Sequence, residues 1–215
     1  MSRFNLYIFD LDGTILDSKE DIAIAVNYGL KKVGLKERDT QEIVRFVGYG
    51  AKKLIDDLLP EFNEDIRKEV LGYFREFYTQ NPVIKSTLYP GVEDILKNLK
   101  NSGKKVSIVT NKYEEISKRI IEHFKIDRYI DLVVGADTTS EKKPNPKPVF
   151  YTLEKLEEDK EKSILIGDSE TDIQTSKNAS ISGCLVLHGY GNKELALKLN
   201  PDFIIKDFYE FEVIR

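Results

Sequence analysis

The stretch YIFDLDGTILDS, Tyr7 to Ser18, sets Asp10 and Asp12 directly after the apolar run Leu6-Tyr7-Ile8-Phe9 and follows them with Gly13 and Thr14. Side chains two apart along an extended segment point the same way, so both carboxylates can face one small volume at the carboxyl end of a strand. Like charges that close repel each other and raise one pKa, unless a cation, a proton or an electrophile shares the site. Read as a bare turn, Asp-Leu-Asp-Gly carries no chemistry. The rest of the chain decides between turn and site.

At 215 residues the chain fits one large domain or a core with a smaller insert, and it can bury a hydrophobic core without staples. Cys184 is the single cysteine; it permits no internal disulfide or cysteine-rich metal site and fits a reducing compartment. Met1 to Leu6 run straight into a strand-like segment, and no apolar run approaches the roughly 20 residues of a spanning helix. The expectation is a cytoplasmic protein without membrane contact. Charged residues make up 33% of the chain, but their signs nearly cancel at a net charge of -4. Lys alternates with Glu as on solvated helix faces, which argues against a nucleic-acid partner.

Outward from the opening stretch, residues from about Ser18 to Gln80 read as helix. Ser18 with Asp21 resembles a capping box, Ile22, Ala23, Val26 and Leu30 follow at helical spacing, and Gly34 stops the run. Further helices are expected over Gln41 to Val47, Ala51 to Leu59 and Glu64 to Thr79, the last capped by Asn63. From Tyr89-Pro90-Gly91 onward, helices alternate with short buried strands: KVSIVTNK, DLVVGAD, SILIGD and GCLVL. That alternation implies parallel βαβ units, hence an α/β fold with a doubly wound, mainly parallel Rossmann-like sheet. The helical block is then an insert: 1–15 and 86–215 form an α/β catalytic core, and 16–85 an all-α cap.

In open parallel sheets, ligands bind outside the carboxyl ends of the strands. Those ends carry Asp10 and Asp12, then Thr110 and Asn111, then Asp168 with Asp172, and the loop SEKKPNPKP adds Lys142 and Lys143. Acidic residues there can hold Mg²⁺, a hard cation that takes oxygen ligands. A hydroxyl, backbone amides and a Lys can hold a phosphoryl group beside it.

DLDGT at Asp10 to Thr14, TN at Thr110-Asn111, KKP at Lys142 to Pro144 and GDSETD at Gly167 to Asp172 occur in order along the chain. On these four motifs the chain resembles the haloacid dehalogenase superfamily with a helical cap inserted after the first motif. The resemblance implies that Asp10 is the nucleophile that forms an aspartyl-phosphate, splitting one hydrolysis into two easier steps. It implies that Asp12 protonates the leaving group and then deprotonates water. Mg²⁺ would be held by Asp10, the Asp12 carbonyl and Asp168, with Asp172 close by. Thr110 and Lys143 would bind phosphoryl oxygens, Lys143 being favoured over Lys142 by its place before Pro144, with Gly13, Thr14 and Asn111 completing the phosphate site.

Asp12 argues against dehalogenation, and GYGAKKLI does not resemble the Schiff-base motif of phosphonate hydrolysis. A phosphatase of a small phosphorylated metabolite remains, acting as a monomer or homodimer. LDS, VGYGAKKLI and LYPGV resemble the phosphoglycolate phosphatases, whose carboxylate-bearing substrate would need a cation from the cap: Arg45, Lys52 or Lys53. A sugar phosphomutase of the β-phosphoglucomutase type uses the same four motifs. Pyrophosphatase and nucleotidase relatives carry Gly-Pro-Pro where this chain has Gly48-Tyr49-Gly50. A phospho-receiver domain lacks the Asp-x-Asp-Gly-Thr motif and the insert, and a dead binding module would not keep every catalytic group. Ser169 and Thr171 read as turn or capping residues, His123 and His188 as structural, and Tyr73, Phe74 and Phe77 as cap core.

Overall fold

The computed structural model describes residues 3–214; Met1, Ser2 and Arg215, at the ends of the expected core, lie outside the described residues. Its sheet has six parallel strands in the order β5-β4-β1-β6-β7-β8. The strands are β1 (Leu6–Phe9), β4 (Lys105–Val109), β5 (Leu132–Val134), β6 (Ser163–Gly167), β7 (Ser182–Val186) and β8 (Phe203–Ile205). β1 and β6 are buried along their whole length, as strands covered on both faces must be, and this is why they read as continuous apolar runs without alternation. The crossovers are the helices α5 (Val92–Asn101), α6 (Glu114–His123), α7 (Lys147–Leu156) and α8 (Glu170–Ala179). A last helix, α9 (Lys193–Lys198), and a 3₁₀ segment, Phe208–Ile214, follow. Phe208 and Phe211 pack against Phe9 of the central strand.

Between the two-residue strands β2 (Leu16–Asp17) and β3 (Thr87–Leu88) lie four helices: α1 (Lys19–Lys32), α2 (Thr40–Val44), α3 (Ala51–Leu58) and α4 (Glu64–Gln80). β2 and β3 pair antiparallel, Leu16 opposite Leu88 and Asp17 opposite Thr87, so the chain leaves and returns through one small ribbon. Asn63 caps α4 as expected, its side chain accepting from Ile66 N at 3.0 Å. The capping box expected at Ser18 and Asp21 does not form, because both side chains have stronger claims elsewhere. Ser18 Oγ donates to Asp12 Oδ1 at 2.5 Å. Asp21 accepts from the backbone N–H groups of Ile84, Lys85 and Ser86, which ties α1 to the returning strand.

Candidate active site

β1 lies between β4 and β6, so the three strands with polar groups at their carboxyl ends are neighbours. The ladder runs one residue past β1, Asp10 N donating to Ile166 O at 2.9 Å, which fixes the Asp10 backbone before its carboxylate meets the others. Asp10, Asp168 and Asp172 each present an oxygen within 4.8 Å of the other two, and all three are buried. Lys143 enters from the loop before α7. Its ammonium lies 2.8 Å from Asp10 Oδ1 and 2.6 Å from Asp172 Oδ1, so one buried cation serves both carboxylates.

Burial pushes the Asp10 carboxyl up; Lys143 pulls it down, Asp172 and Asp168 push it further up, and the balance is about 7. Burial likewise raises Asp168, against the pull of Lys193. Three carboxylates in one dry volume, offset by one buried ammonium and a more distant Lys193 at 3.5 Å, form an oxygen-only donor set with surplus negative charge. That set fits a hard divalent cation. The remaining lone pairs are organised by the protein: Asp172 Oδ2 accepts from Ser169 N and Oγ, and Asp168 Oδ2 from Gly191 N at 2.7 Å. Gly13 passes against this cluster at φ +84°, where an added Cβ would stand 2.5 Å from Asp168 Oδ2. Glycine is needed there for both its conformation and its lack of a side chain.

Asp12 lines the cavity beside Asp10 but is held by a different set of partners. Lys112 Nζ donates to both of its oxygens at 2.8 Å and lies 2.9 Å from the hydroxyl of Tyr78 on α4. Burial would lower the Lys112 pKa, but Asp12 and Tyr78 raise it above its ordinary value, so the ammonium stays charged. Burial pushes Tyr78 up to about 12. Ser18 completes the surroundings of Asp12 and contacts the Tyr190 hydroxyl at 2.9 Å.

Thr110 and Asn111 line a cavity of about 310 Å³ together with Asp10 and Asp12. Asn111 Nδ2 donates to Gly48 O and Lys143 O, binding the α2–α3 loop to the sheet. Thr14 is turned behind the acids, its hydroxyl 3.4 Å from Asp168 Oδ1 and its carbonyl 2.9 Å from His188 Nε2. The Gly13 N–H, expected to face a phosphoryl oxygen, donates instead to Leu16 O at 2.8 Å, because residues 11 to 16 close a turn on themselves. Among the three cap cations, Lys52 lines the cavity and is paired with Asp56. Lys53 faces a neighbouring groove and pairs with Asp57, and exposed Arg45 lines neither.

Residues 7–186 match the haloacid dehalogenase-like hydrolase family. The chain belongs to that family. It is 40% identical over 201 residues to a phosphoglycolate phosphatase of Aquifex aeolicus, spanning 92% of this chain and 90% of that one. A phosphoglycolate phosphatase of Colwellia psychrerythraea is 36% identical over 210 residues, 94% of this chain and 93% of the other. Among solved structures, the family member described as a predicted phosphoglycolate phosphatase from Haemophilus somnus superposes with a TM-score of 0.91 at 29% identity, covering 100% of this chain and 99% of that one.

Sequence reasoning missed Lys112, Ser18, Tyr190 and Lys193. Lys112 had one signal: it follows Thr110-Asn111 at a strand end and is no part of a Lys–Glu helix face. Tyr190 and Lys193 lie beyond the last motif and reach the site only through the fold.

Proposed function

We propose that this family member is a phosphatase of a small phosphorylated metabolite, phosphoglycolate first among them, and that it works through an aspartyl-phosphate on Asp10 with Mg²⁺ held by Asp10, Asp168, Asp172 and the Asp12 carbonyl. The observation that carries the reading is the buried cluster of Asp10, Asp168 and Asp172, of which Asp10 also lines the cavity. A carboxylate that both joins the acidic cluster and opens on the cavity is placed to attack phosphorus. Mg²⁺ would neutralise phosphoryl charge and let an anionic nucleophile approach an anionic ester. The related phosphoglycolate phosphatases support the substrate class.

Within that scheme each side chain has a task. Lys143 draws negative charge off Asp10 and Asp172 and presents its ammonium to the phosphoryl oxygens. Thr110 supplies a hydroxyl beside it. Asp12, held by Lys112 and Ser18 in this structure, would take up a proton from solvent on leaving them, give it to the leaving oxygen, and later regain one from the water that cleaves the acyl-phosphate. The cap closes over the core through the β2–β3 ribbon and shields the intermediate from unproductive acceptors. Among the described residues no helix is long and apolar enough to cross a membrane, and buried, free Cys184 suits a reducing, cytoplasmic setting.

The test is turnover of phosphoglycolate in Mg²⁺ by the wild type and by Asp10→Asn. The wild type should release inorganic phosphate over many turnovers and form no sugar bisphosphate from hexose phosphates, whereas Asp10→Asn, nearly isosteric, should fold and lose turnover by at least about 10³-fold. Wild-type-like activity in the variant, or full activity in excess chelator, overturns the mechanism. Interconversion of hexose 1- and 6-phosphates with little free phosphate points to a mutase.

A further inference from the structure

The site floor recognises a phosphoryl group, and what selects the rest of the substrate must lie farther up the cavity. Beyond Asp10 and Asp12 the described lining carries no acid and four cations, Lys52, Arg75, Lys112 and Lys142. Three of these are engaged. Lys112 is committed to Asp12 and Tyr78. Lys52 is exposed and pairs with Asp56 at 2.6 Å. Arg75, also exposed, lies over the Tyr113 ring at 5.4 Å from its centroid.

Lys142 differs from all three. It is half-buried, and its ammonium donates to the carbonyl of Tyr49 at 2.6 Å. No carboxylate among the described residues pairs with it, so two of its three N–H donors are left over. Burial, and then the nearby charge of Lys52, press its pKa below the ordinary Lys value, the signature of a cation whose counter-charge is missing. Its Nζ stands beside Gly50, where an added Cβ would lie 3.1 Å from it, at the seam between the α2–α3 loop and the sheet. Apolar Val47, Leu54, Phe74 and Ile116 line the same cavity and lower the local dielectric, so an anion entering here is held more strongly than at an open surface. Lys143, the next residue, points down to Asp10. Two adjacent lysines on one loop therefore address two different stations.

We propose that Lys142 binds the carboxylate of the leaving group and is the specificity-determining cation of this enzyme, in place of Arg45, Lys52 or Lys53. The proposal rests on the phosphatase reading and names the residue that reads its substrate. It places the recognition of the second anion on the core, at the point where the cap loop rests, so a bound carboxylate would also bridge the two parts.

The experiment compares 2-phosphoglycolate with ethyl phosphate, which has a methyl group where the former has its carboxylate. The wild type should prefer phosphoglycolate by about tenfold or more in kcat/KM, and Lys142→Met should collapse that ratio by a similar factor, while Lys142→Arg restores most of it. Lys142→Met also gives up the hydrogen bond to the Tyr49 carbonyl, an effect that falls on both esters alike and cancels in the ratio. Hydrolysis of both esters with a ratio that Lys142→Met does not move overturns the station and leaves the phosphatase reading standing. A wild type that shows no preference overturns it too. Release of phosphate from neither ester removes the phosphatase reading and the inference with it.

Discussion

Removing the Asp21 carboxylate should loosen the junction between the inserted helices and the sheet. Asp21 is fully buried and accepts four hydrogen bonds: from Ile84 N at 2.9 Å, Lys85 N at 2.8 Å, Ser86 N at 2.9 Å and Ser86 Oγ at 2.5 Å. Asp21→Ala strands three main-chain donors and one hydroxyl. A buried donor left unpaired costs about 1–3 kcal/mol, and water entering the small gap can rescue some of the four. With two of them left dry, the loss is about 2–6 kcal/mol, reaching the upper end for single substitutions. In a domain of this size, that corresponds to a fall in Tm of roughly 10 °C. Asp21→Asn should cost about half as much, because its one carbonyl oxygen can take the place of Oδ2 with three donors while its NH₂ opposes Lys85 N–H. Burial alone would raise the Asp21 pKa, but the hydrogen bonds from Ile84, Ser86 and Lys85 outweigh it and the net shift is downward. Its contribution is therefore present above the unfolded-state value of about 3.9 and is lost as pH falls through the lower folded value. Urea unfolding followed by circular dichroism, at neutral pH and along the acid limb, measures both effects. An alanine variant within about 1 kcal/mol of wild type, or an acid limb that Asp21→Asn leaves unchanged, would refute the reasoning.

Two further substitutions probe the floor of the site. Gly13→Ala drives a Cβ into Asp168 at a φ that L-residues avoid, so calorimetry should find Mg²⁺ binding weakened by about tenfold or more, with kcat/KM falling at least in proportion; unchanged Mg²⁺ affinity removes the close-approach argument. Lys143→Met leaves buried Asp10 and Asp172 without their shared ammonium, and the ion-free protein should lose about 3–5 kcal/mol of stability. That deficit should shrink as Mg²⁺ is added, since a bound cation offsets the same repulsion; a deficit independent of Mg²⁺ would show that Lys143 serves packing alone.

The parts of this molecule that were readable in the sequence are those in which residue type and spacing leave little choice. Asp10 and Asp12 announce themselves because paired carboxylates after a buried strand are costly without a function, and SILIG reads as strand because its burial on both faces forbids polar interruption. The ribbon of β2 and β3 was not readable, since two-residue strands have no period to detect. Ser18 and Asp21 have the chemistry of a capping box but are recruited by Asp12, six positions back, and by the 84–86 backbone far along the chain. Lys112 is silent for the same reason: its partners Asp12 and Tyr78 stand 100 and 34 positions away. In the cap, the pairing of Lys52 and Lys53 with acids one turn along their own helix was readable from their i, i+4 spacing.

The central position of β1 governs the order in which the molecule can assemble. The strand leaves the ribosome before either of its neighbours, residues 105–108 on one side and 163–166 on the other. At the usual pace of synthesis, the first neighbour arrives roughly 5–20 s later, and the second later still. The inserted helices need no partner from beyond the ribbon to make their own turns, and can compact while the apolar run Leu6-Tyr7-Ile8-Phe9 waits for its strand neighbours. The segment that leads into Asp10 is thus the one most in need of shelter during synthesis, and the helices threaded after it are the material closest to hand to provide it.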